Sequence, residues 1–349
     1  MSIKRLELIN FRNHESLVFT PRDDLNIIVG ENGSGKTNII EALYVLMFGR
    51  SWRTSDITNL IENDKNQFVI TAQILNSNIS HKVTLYCDHA KKRLFLNDKP
   101  IKSPSELMEI LNGVLFNPSM VNAFIESQDM RRNLLDSSLG RTVAKYRTAY
   151  IEYKKLLKER NEALKEQVIN DKYIYTLTTE LVAHSHSIAV LRDIYVKRIN
   201  EEMPLIAKAI SNKSQNISLV YEPLVLLDEN YESNLLAIYK ANYALDKLYK
   251  VTQIGVHKEN YYLYIDGVDM ATHASQGENR LAILCFILAS AKIIKRYDMI
   301  ILLDDVLSEL DETNIARLIE YLKDCGQVFI SATKTDYKEY EYNAYRKGE

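Results

Sequence analysis

The residues best equipped for chemistry stand at two places far apart in the chain. The first is Gly30-Glu31-Asn32-Gly33-Ser34-Gly35-Lys36-Thr37, followed by Asn38. Glycines at this spacing let the backbone turn tightly, so that consecutive N–H groups and the N-terminus of the next helix converge on one chain of phosphates. Lys36 then reaches the outer phosphates and Thr37 holds Mg²⁺. The second place is Asp304-Asp305, at the end of the apolar run Ile300-Ile301-Leu302-Leu303. A magnesium ion held from one side by a hydroxyl needs a carboxylate on the other, which Asp304 supplies directly or through water. Asp305 is placed to orient an attacking water.

Each group needs a particular support. Leu25, Ile27, Ile28 and Val29 predict a buried strand entering the glycine turn, and Ile39, Leu43, Leu46 and Met47 predict a helix over Thr37–Phe48 leaving it. Met299–Leu303 reads as a second buried strand. More than half of the chain separates the two groups, whereas a small GTPase-like protein closes that gap within roughly tens of residues. The split argues for an ATP-binding-cassette head: an α/β fold with a mixed sheet, an antiparallel β meander and an inserted helical lobe. Ser275-Gln276-Gly277-Glu278, just before the apolar run Leu281–Ile294, then has a role of its own. A serine hydroxyl, a glycine N–H and a helix N-terminus make an anion site, which in cassette architecture serves the nucleotide of a second copy.

The intervening chain supplies the scaffold. Ile3 to Phe11 and Ser16–Phe19 read as strands, and Phe68–Leu75, Ile79–Cys87 and Lys92–Leu96 as an antiparallel meander. Helices are expected over Pro104–Leu111 and Gln128–Leu139. Tyr146, Tyr150, Tyr153, Leu157 and Leu164, then Leu177, Leu181, His184, Ile188, Leu191 and Tyr195, step by threes and fours. They predict an antiparallel helical hairpin of about three heptads per arm, turning at Asn170-Asp171, with His184 as a packed core histidine. Strands at Ile217–Tyr221 and Tyr261–Ile265, helices at Glu232–Leu248 and Asn314–Leu322, and a last strand at Val328–Ser331 complete the reading. The charged, tyrosine-rich tail from Asp336 is expected to be a surface appendage. The expected division is 1–115 with 250–349 for the ATPase lobe and 116–249 for the helical lobe, with 275–278 at their junction.

Composition narrows the class. A chain of 349 residues, 46% apolar, can bury a large core. Lys+Arg at 44 against Asp+Glu at 46 leaves a net charge of -2, so bulk charge does not announce a nucleic-acid binder. Cys87, Cys285 and Cys325 form no C-x-x-C pair, which fits a reducing compartment and no structural zinc. Lys4, Arg5 and Glu7 precede any apolar run, so no signal peptide is expected, and Leu281–Ala291 is too short to cross a bilayer.

The chain resembles the RecF family of bacterial recombination-repair ATPases. The resemblance is carried by Asn10-Phe11-Arg12-Asn13, Gly30 to Asn38, Gly49-Arg50-Ser51, Arg53-Thr54-Ser55, Leu115-Phe116 with Pro118, Arg131-Arg132, Ser275-Gln276-Gly277, Leu302 to Asp311, and Ser331-Ala332-Thr333. It implies a cytoplasmic, nucleoid-associated ATPase of DNA repair, replication and the SOS response. Such a protein forms a homodimer on ATP and Mg²⁺, binds DNA at single-strand/double-strand junctions and gaps, and works with RecR and RecO to load RecA. By position, Gly30 to Asn38 would cradle the nucleotide, with Lys36 on phosphates, Thr37 and Asp304 on Mg²⁺, and Asp305 on the water. Ser275, Gln276 and Gly277 would meet the opposite protomer's γ-phosphate, and Asp311 would face the dimer. Arg12 and Asn13 would contact nucleotide, or else form a solvated turn. Arg50, Arg53, Arg131 and Arg132 would contact the DNA backbone, or else be ordinary salt-bridged arginines.

The chain also departs from the family pattern. Ala274 and Glu278 stand where the family often has leucine and glutamine, and an acid at 278 would repel a triphosphate unless it turns away. Gly255-Val256-His257-Lys258-Glu259-Asn260 lacks a usual proline, arginine and pair of aspartates, and Glu126-Ser127-Gln128 replaces Gly-Ser-Pro. Aspartate at 305, where most cassette ATPases have glutamate, is a methylene shorter and suits slow, DNA-stimulated turnover. A long-armed structural head, a transporter subunit and a nucleotide-binding scaffold without hydrolysis are the alternatives.

Overall fold

A computed structural model describes residues 1–211, 215–293, 299–308 and 310–333, and the backbone of 343–345. The chain divides into two compact units: Met1–Val121 with Leu205–Ser214 and Arg280–Glu349, and Asn122–Pro204 with Gln215–Asn279.

In the first unit the central element is the helix Lys36–Phe48, whose residues from Ile39 to Met47 are all buried. A helix apolar on every side must be covered on every side. Two sheets do this. One is parallel, in the order Asn343–Tyr345, Leu25–Val29, Gln327–Ala332, Ile300–Leu303, Gly113–Phe116. The other is antiparallel, in the order His14–Phe19, Ser2–Phe11, Gln67–Asn76, Ile79–Asp88, Lys92–Leu96, Lys99–Ile101. Along Gln67–Asn76, Phe68, Ile70, Ala72 and Ile74 are buried in strict alternation, and they join Ile28, Ile300, Leu302 and Phe329 of the parallel sheet in one core with the helix. The expected α/β head with its antiparallel meander is present, and the antiparallel strands form a sheet of their own.

The helix expected over Pro104–Leu111 is a single 3₁₀ turn, Pro104–Leu107. Glu106 closes it by accepting from the backbone N–H groups of Lys102 and Ser103, at 2.7 and 3.0 Å. Leu107 and Leu111 are both fully buried, so burial, not helix length, explains their spacing. Residues 343–345 pair in parallel with Leu25–Val29, which makes that part of the tail an edge strand. The rest of the tail expected to be an appendage lies outside the described residues.

The second unit holds the helical hairpin. Ala144–Ala163 is its first arm, and the second, Asp171–Ile210, is twice as long as expected. Its buried residues continue past Tyr195 through Ile199 and Met203, and from Leu205 the helix belongs to the first unit, where Ile206 and Ile210 are buried. Arg160 Nε to Thr178 Oγ1 at 2.9 Å and Arg192 Nε to Tyr146 Oη at 3.3 Å show the arms antiparallel. The core position assigned to His184 belongs to Ser185, whose hydroxyl donates to Leu181 O at 2.7 Å; His184 is half-buried. A three-stranded sheet, Val268–Asp269, Asn260–Ile265 and Ile217–Glu222, completes the unit. Because Asn260–Ile265 pairs along its whole length with Ile217–Glu222, residues up to Asn279 belong to this unit. The boundary expected at 249/250 therefore falls at 279/280.

Inside the unit lies a buried ion cluster. Arg192 is fully buried at a core position of the hairpin; its Nη2 reaches Asp136 Oδ2 and its Nη1 reaches Glu259 Oε2, both at 2.8 Å. Nη1 also donates to Val256 O at 2.8 Å, and Leu224 N donates to the other oxygen of Glu259 at 3.0 Å. Burial works to strip Arg192 of its proton, but the Asp136 carboxylate and the surrounding tyrosines hold its pKa well above the ordinary arginine value. Among the described residues, no helix is long and apolar enough to cross a membrane, and no group of three or more His, Cys, Asp or Glu is placed to hold a metal.

Candidate nucleotide site

Strand order brings the two distant groups together. Leu25–Val29 and Ile300–Leu303 flank Gln327–Ala332 in the parallel sheet, and the register Leu303↔Ile330↔Ile27 aligns their C-terminal ends. Ligands of open parallel sheets bind at that edge. The turn after Leu25–Val29 closes with Ser34 N donating to Glu31 O at 3.2 Å, and Gly33 and Gly35 take left-handed φ values of 82° and 101°. Only glycine suits Gly35: a Cβ there would stand 2.5 Å from His14 Nε2. The helix starts at Lys36, one residue earlier than expected.

Lys36 curls back over this turn, its ammonium donating to Gly30 O at 2.7 Å and to Glu31 O at 2.8 Å. Burial lowers its pKa, opposed by the nearby carboxylates of Asp305 and Asp304. Thr37 Oγ1 donates to Asp304 Oδ1 at 2.9 Å. Residues 267 positions apart in the chain thus meet directly, with Lys36 close enough to feel both aspartates. Asp304 is 7% exposed. Burial raises its pKa above the ordinary carboxylate value, against hydrogen bonds from Ser331 and Thr37. Asp305 has φ 51°, and its backbone N–H donates to Ser331 Oγ at 2.8 Å, while Ser331 donates to Asp304 Oδ1 at 2.7 Å.

A hydroxyl and a carboxylate 2.9 Å apart, beside a lysine and a loop of backbone N–H groups, form the donor set of a hard divalent cation with a phosphate chain. Thr37 and Asp304 fit Mg²⁺ on this ground.

Ser331, Glu41 and His14 also belong to the site, and the sequence reading did not assign them a role. Ser331 sits where an apolar strand ends in a small polar residue, the same signal that singled out Asp304. His14 Nε2 lies 3.2 Å from Gly35 O. Of the pair Arg12-Asn13, Asn13 meets the loop, its Nδ2 donating to Gly33 O at 3.3 Å, while Arg12 pairs with Glu41 of the following helix at 2.8 Å and donates to Asn59 O at 3.1 Å.

Ser275, Gln276 and Gly277 belong to the second unit, where the helix begins at Gln276, five residues before the expected start. Glu278 does not turn away. Its Oε2 accepts from Ser275 N at 2.9 Å while Glu278 N donates to Ser275 Oγ at 3.4 Å, which is a capping box; Oε2 also accepts from Ser275 Oγ at 2.8 Å, and Oε1 accepts from Gln215 Nε2 at 2.9 Å. Asp311 caps the helix Glu312–Leu322, accepting from Asn314 N at 2.8 Å.

The four arginines assigned to DNA divide. Arg132 is buried, with Nη1 donating to Glu259 O at 2.8 Å, so it is removed from any surface. Arg131 is turned inward, bonded to Asn260 Oδ1 at 3.0 Å and to the carbonyls of Phe124 and Ile125. The helix Gln128–Thr142 that carries both presents them to its own unit, which is the physical reason for the correction. Arg53 is 42% exposed yet bound to Glu41, and Arg50 is exposed.

The chain is similar to known proteins over nearly its whole length. The family described as RecF/RecN/SMC N terminal domain matches residues 2–345. DNA replication and repair protein RecF of Clostridium kluyveri is 34% identical over 96% of this chain and 94% of its own, and that of Alkaliphilus oremlandii is 34% identical over 95% and 93%. A solved structure of the recombination mediator protein RecF-ATP in the RecFOR pathway superposes with a TM-score of 0.86 at 26% identity, covering 96% of this chain and 92% of that one. The Smc head domain of Pyrococcus furiosus, at 18% identity and TM-score 0.58, covers 95% and 89% and shares the fold.

Proposed function

We propose, from the premise that this chain belongs to the RecF/RecN/SMC N terminal domain family and within it to RecF, that it is a cytoplasmic, ATP-clamped DNA-binding switch of recombinational gap repair. The single observation that carries the reading is the bond between Thr37 and Asp304 beside Lys36. In the working protein Gly30 to Asn38 wrap ATP, and Thr37 and Asp304 hold Mg²⁺, which draws charge off the phosphates as they are cleaved. Asp305 orients the water. Ser275, Gln276 and Gly277 close on the nucleotide of a second copy, so that ATP joins a homodimer. The dimer holds gapped or junction DNA, recruits RecR and RecO toward RecA loading, and lets go on slow hydrolysis. Similarity to RecF structures of the RecFOR pathway supports the partners.

Sizing and DNA binding, run side by side without nucleotide, with ADP and with ATP, test this. ATP alone is expected to produce the dimer and tight DNA binding, and Ser275→Arg to abolish both. A dimer indifferent to nucleotide would favour a scaffold without turnover. The capping box adds a second expectation. A carboxylate about 6 Å from a triphosphate opposes it by about 1 kcal/mol or more, and glutamine can keep the cap. Glu278→Gln is therefore expected to lower the ATP concentration that half-saturates dimerisation by about fivefold.

A further inference from the structure

The helix that leaves the phosphate loop carries one residue that its apolar surroundings do not explain. Glu41, in its second turn, has a side chain 0% exposed. A carboxylate is not buried without partners, and here the partners come from both flanks of the loop. Arg12 forks onto both oxygens, Nε to Oε2 at 3.0 Å and Nη2 to Oε1 at 2.8 Å. Ser51 Oγ donates to Oε1 at 2.5 Å and Arg53 Nη1 to Oε2 at 3.1 Å. The bonds continue toward the loop: Arg53 Nη1 also donates to Asn38 Oδ1 at 2.8 Å, Asn38 Nδ2 to Asn13 Oδ1 at 2.8 Å, and Asn13 Nδ2 to Gly33 O at 3.3 Å. Arg12 is held in left-handed backbone at φ 57°, a conformation that the surrounding bonds must enforce.

We infer that Glu41 is a positioning residue of the nucleotide site: it sets the shape of the phosphate loop through Arg53, Asn38 and Asn13. The inference rests on the reading of that loop as a nucleotide cradle. Charge and position make opposite claims here. Were Glu41 felt only as a negative charge, its neutralisation would draw a triphosphate in more tightly. As a positioning group, its loss loosens the carbonyl of Gly33 and the N–H groups around it, which weakens every nucleotide whose phosphates sit in the turn.

The test is equilibrium binding of ATP and of ADP to the full chain carrying Glu41→Gln, Arg53→Ala, or both. Glu41→Gln is expected to weaken ATP and ADP alike by about tenfold, the scale on which supporting partners of a ligand site act. The double variant is expected to bind no worse than Glu41→Gln alone, because both changes cut one relay. Unchanged or tighter binding by Glu41→Gln, or additive losses, would overturn the inference. Should Glu41→Gln fail to fold, Asn13→Ala decides, since it cuts the last link at an exposed side chain. Weaker binding of both nucleotides supports the relay, and unchanged binding overturns it. Lys36→Ala serves as the separate control: if the unaltered chain binds ATP no better than Lys36→Ala, the nucleotide reading itself fails, whatever Glu41 does.

Discussion

Asp304→Asn is expected to abolish ATP turnover while leaving the protein folded, and to make the empty protein more stable. Both hydrogen bonds that Asp304 accepts, from Thr37 at 2.9 Å and from Ser331 at 2.7 Å, fall on the same oxygen, Oδ1. Asparagine keeps that oxygen and therefore both bonds. What it loses is the charge, and with it the hold on a divalent cation whose stabilisation of the cleaved phosphates amounts to several kcal/mol. At 1.36 kcal/mol per tenfold, a loss of about 10³-fold in turnover is expected, read by phosphate release in excess Mg²⁺. The stability effect has a definite sign. Burial raises the pKa of Asp304 in the folded chain. Its contribution to stability is therefore complete below the unfolded carboxylate value and is lost as pH rises through the folded value. Asparagine has no such loss, so the variant should gain on the parent as pH rises through that window. Thermal midpoints measured without metal across that range check this. A variant that melts lower than the parent at neutral pH would contradict the account.

Arg192→Ala is expected to be the most damaging single change in the second unit. It strands Asp136 and Glu259, both buried, without the cation that reaches each at 2.8 Å. Removing one partner of a buried ion pair costs about 3–5 kcal/mol, far more than the pair contributes relative to apolar residues of the same shape. Glu259 keeps the N–H of Leu224, at 3.0 Å, and the hydroxyl of Tyr221. Asp136 keeps Tyr146, at 2.6 Å. Among the described residues neither keeps an ion-pair partner, although the charges of Arg132 and Lys154 still act on Asp136 from further off. The loss is read by denaturant unfolding. Arg192→Lys should fall between, since one ammonium cannot fork to two carboxylates. A loss of less than about 1 kcal/mol would contradict this account of the buried pair.

How legible the candidate site was depended on how local its chemistry is. The turn Gly30 to Thr37 could be read because each of its parts acts on its neighbours: glycines permit the left-handed φ at Gly33 and Gly35, and the helix start follows at once. The acidic strand could be read only in company: four apolar residues ending in two aspartates are a weak signal alone and a strong one once a glycine turn stands upstream to need a second acidic group. Arg132 shows the limit. Arginine at that position has the same letter whether it faces DNA or a buried carbonyl, and only the packing of Gln128–Thr142 turns it inward. Arg192 is the converse case. It occupies a core position of the hairpin stripe, yet an arginine there reads as a surface residue until Asp136 and Glu259 arrive from elements 56 and 67 residues away.

The chain's own letters were enough to specify a phosphate loop, an acidic strand, an antiparallel meander and a helical hairpin, because backbone turning and the alternation of apolar residues act over a few positions. Tertiary structure alone decided the rest: that Gln327–Ala332 lies between the strand entering the glycine turn and the strand ending in Asp304 and contributes Ser331, that Glu41 ties Arg12 and Arg53 to one helix, and that the unit boundary falls after Asn279. The physical reason is shared by all three. Each depends on which strand or side chain fills a space bounded by residues tens to hundreds of positions away, and burial, not local propensity, selects the occupant.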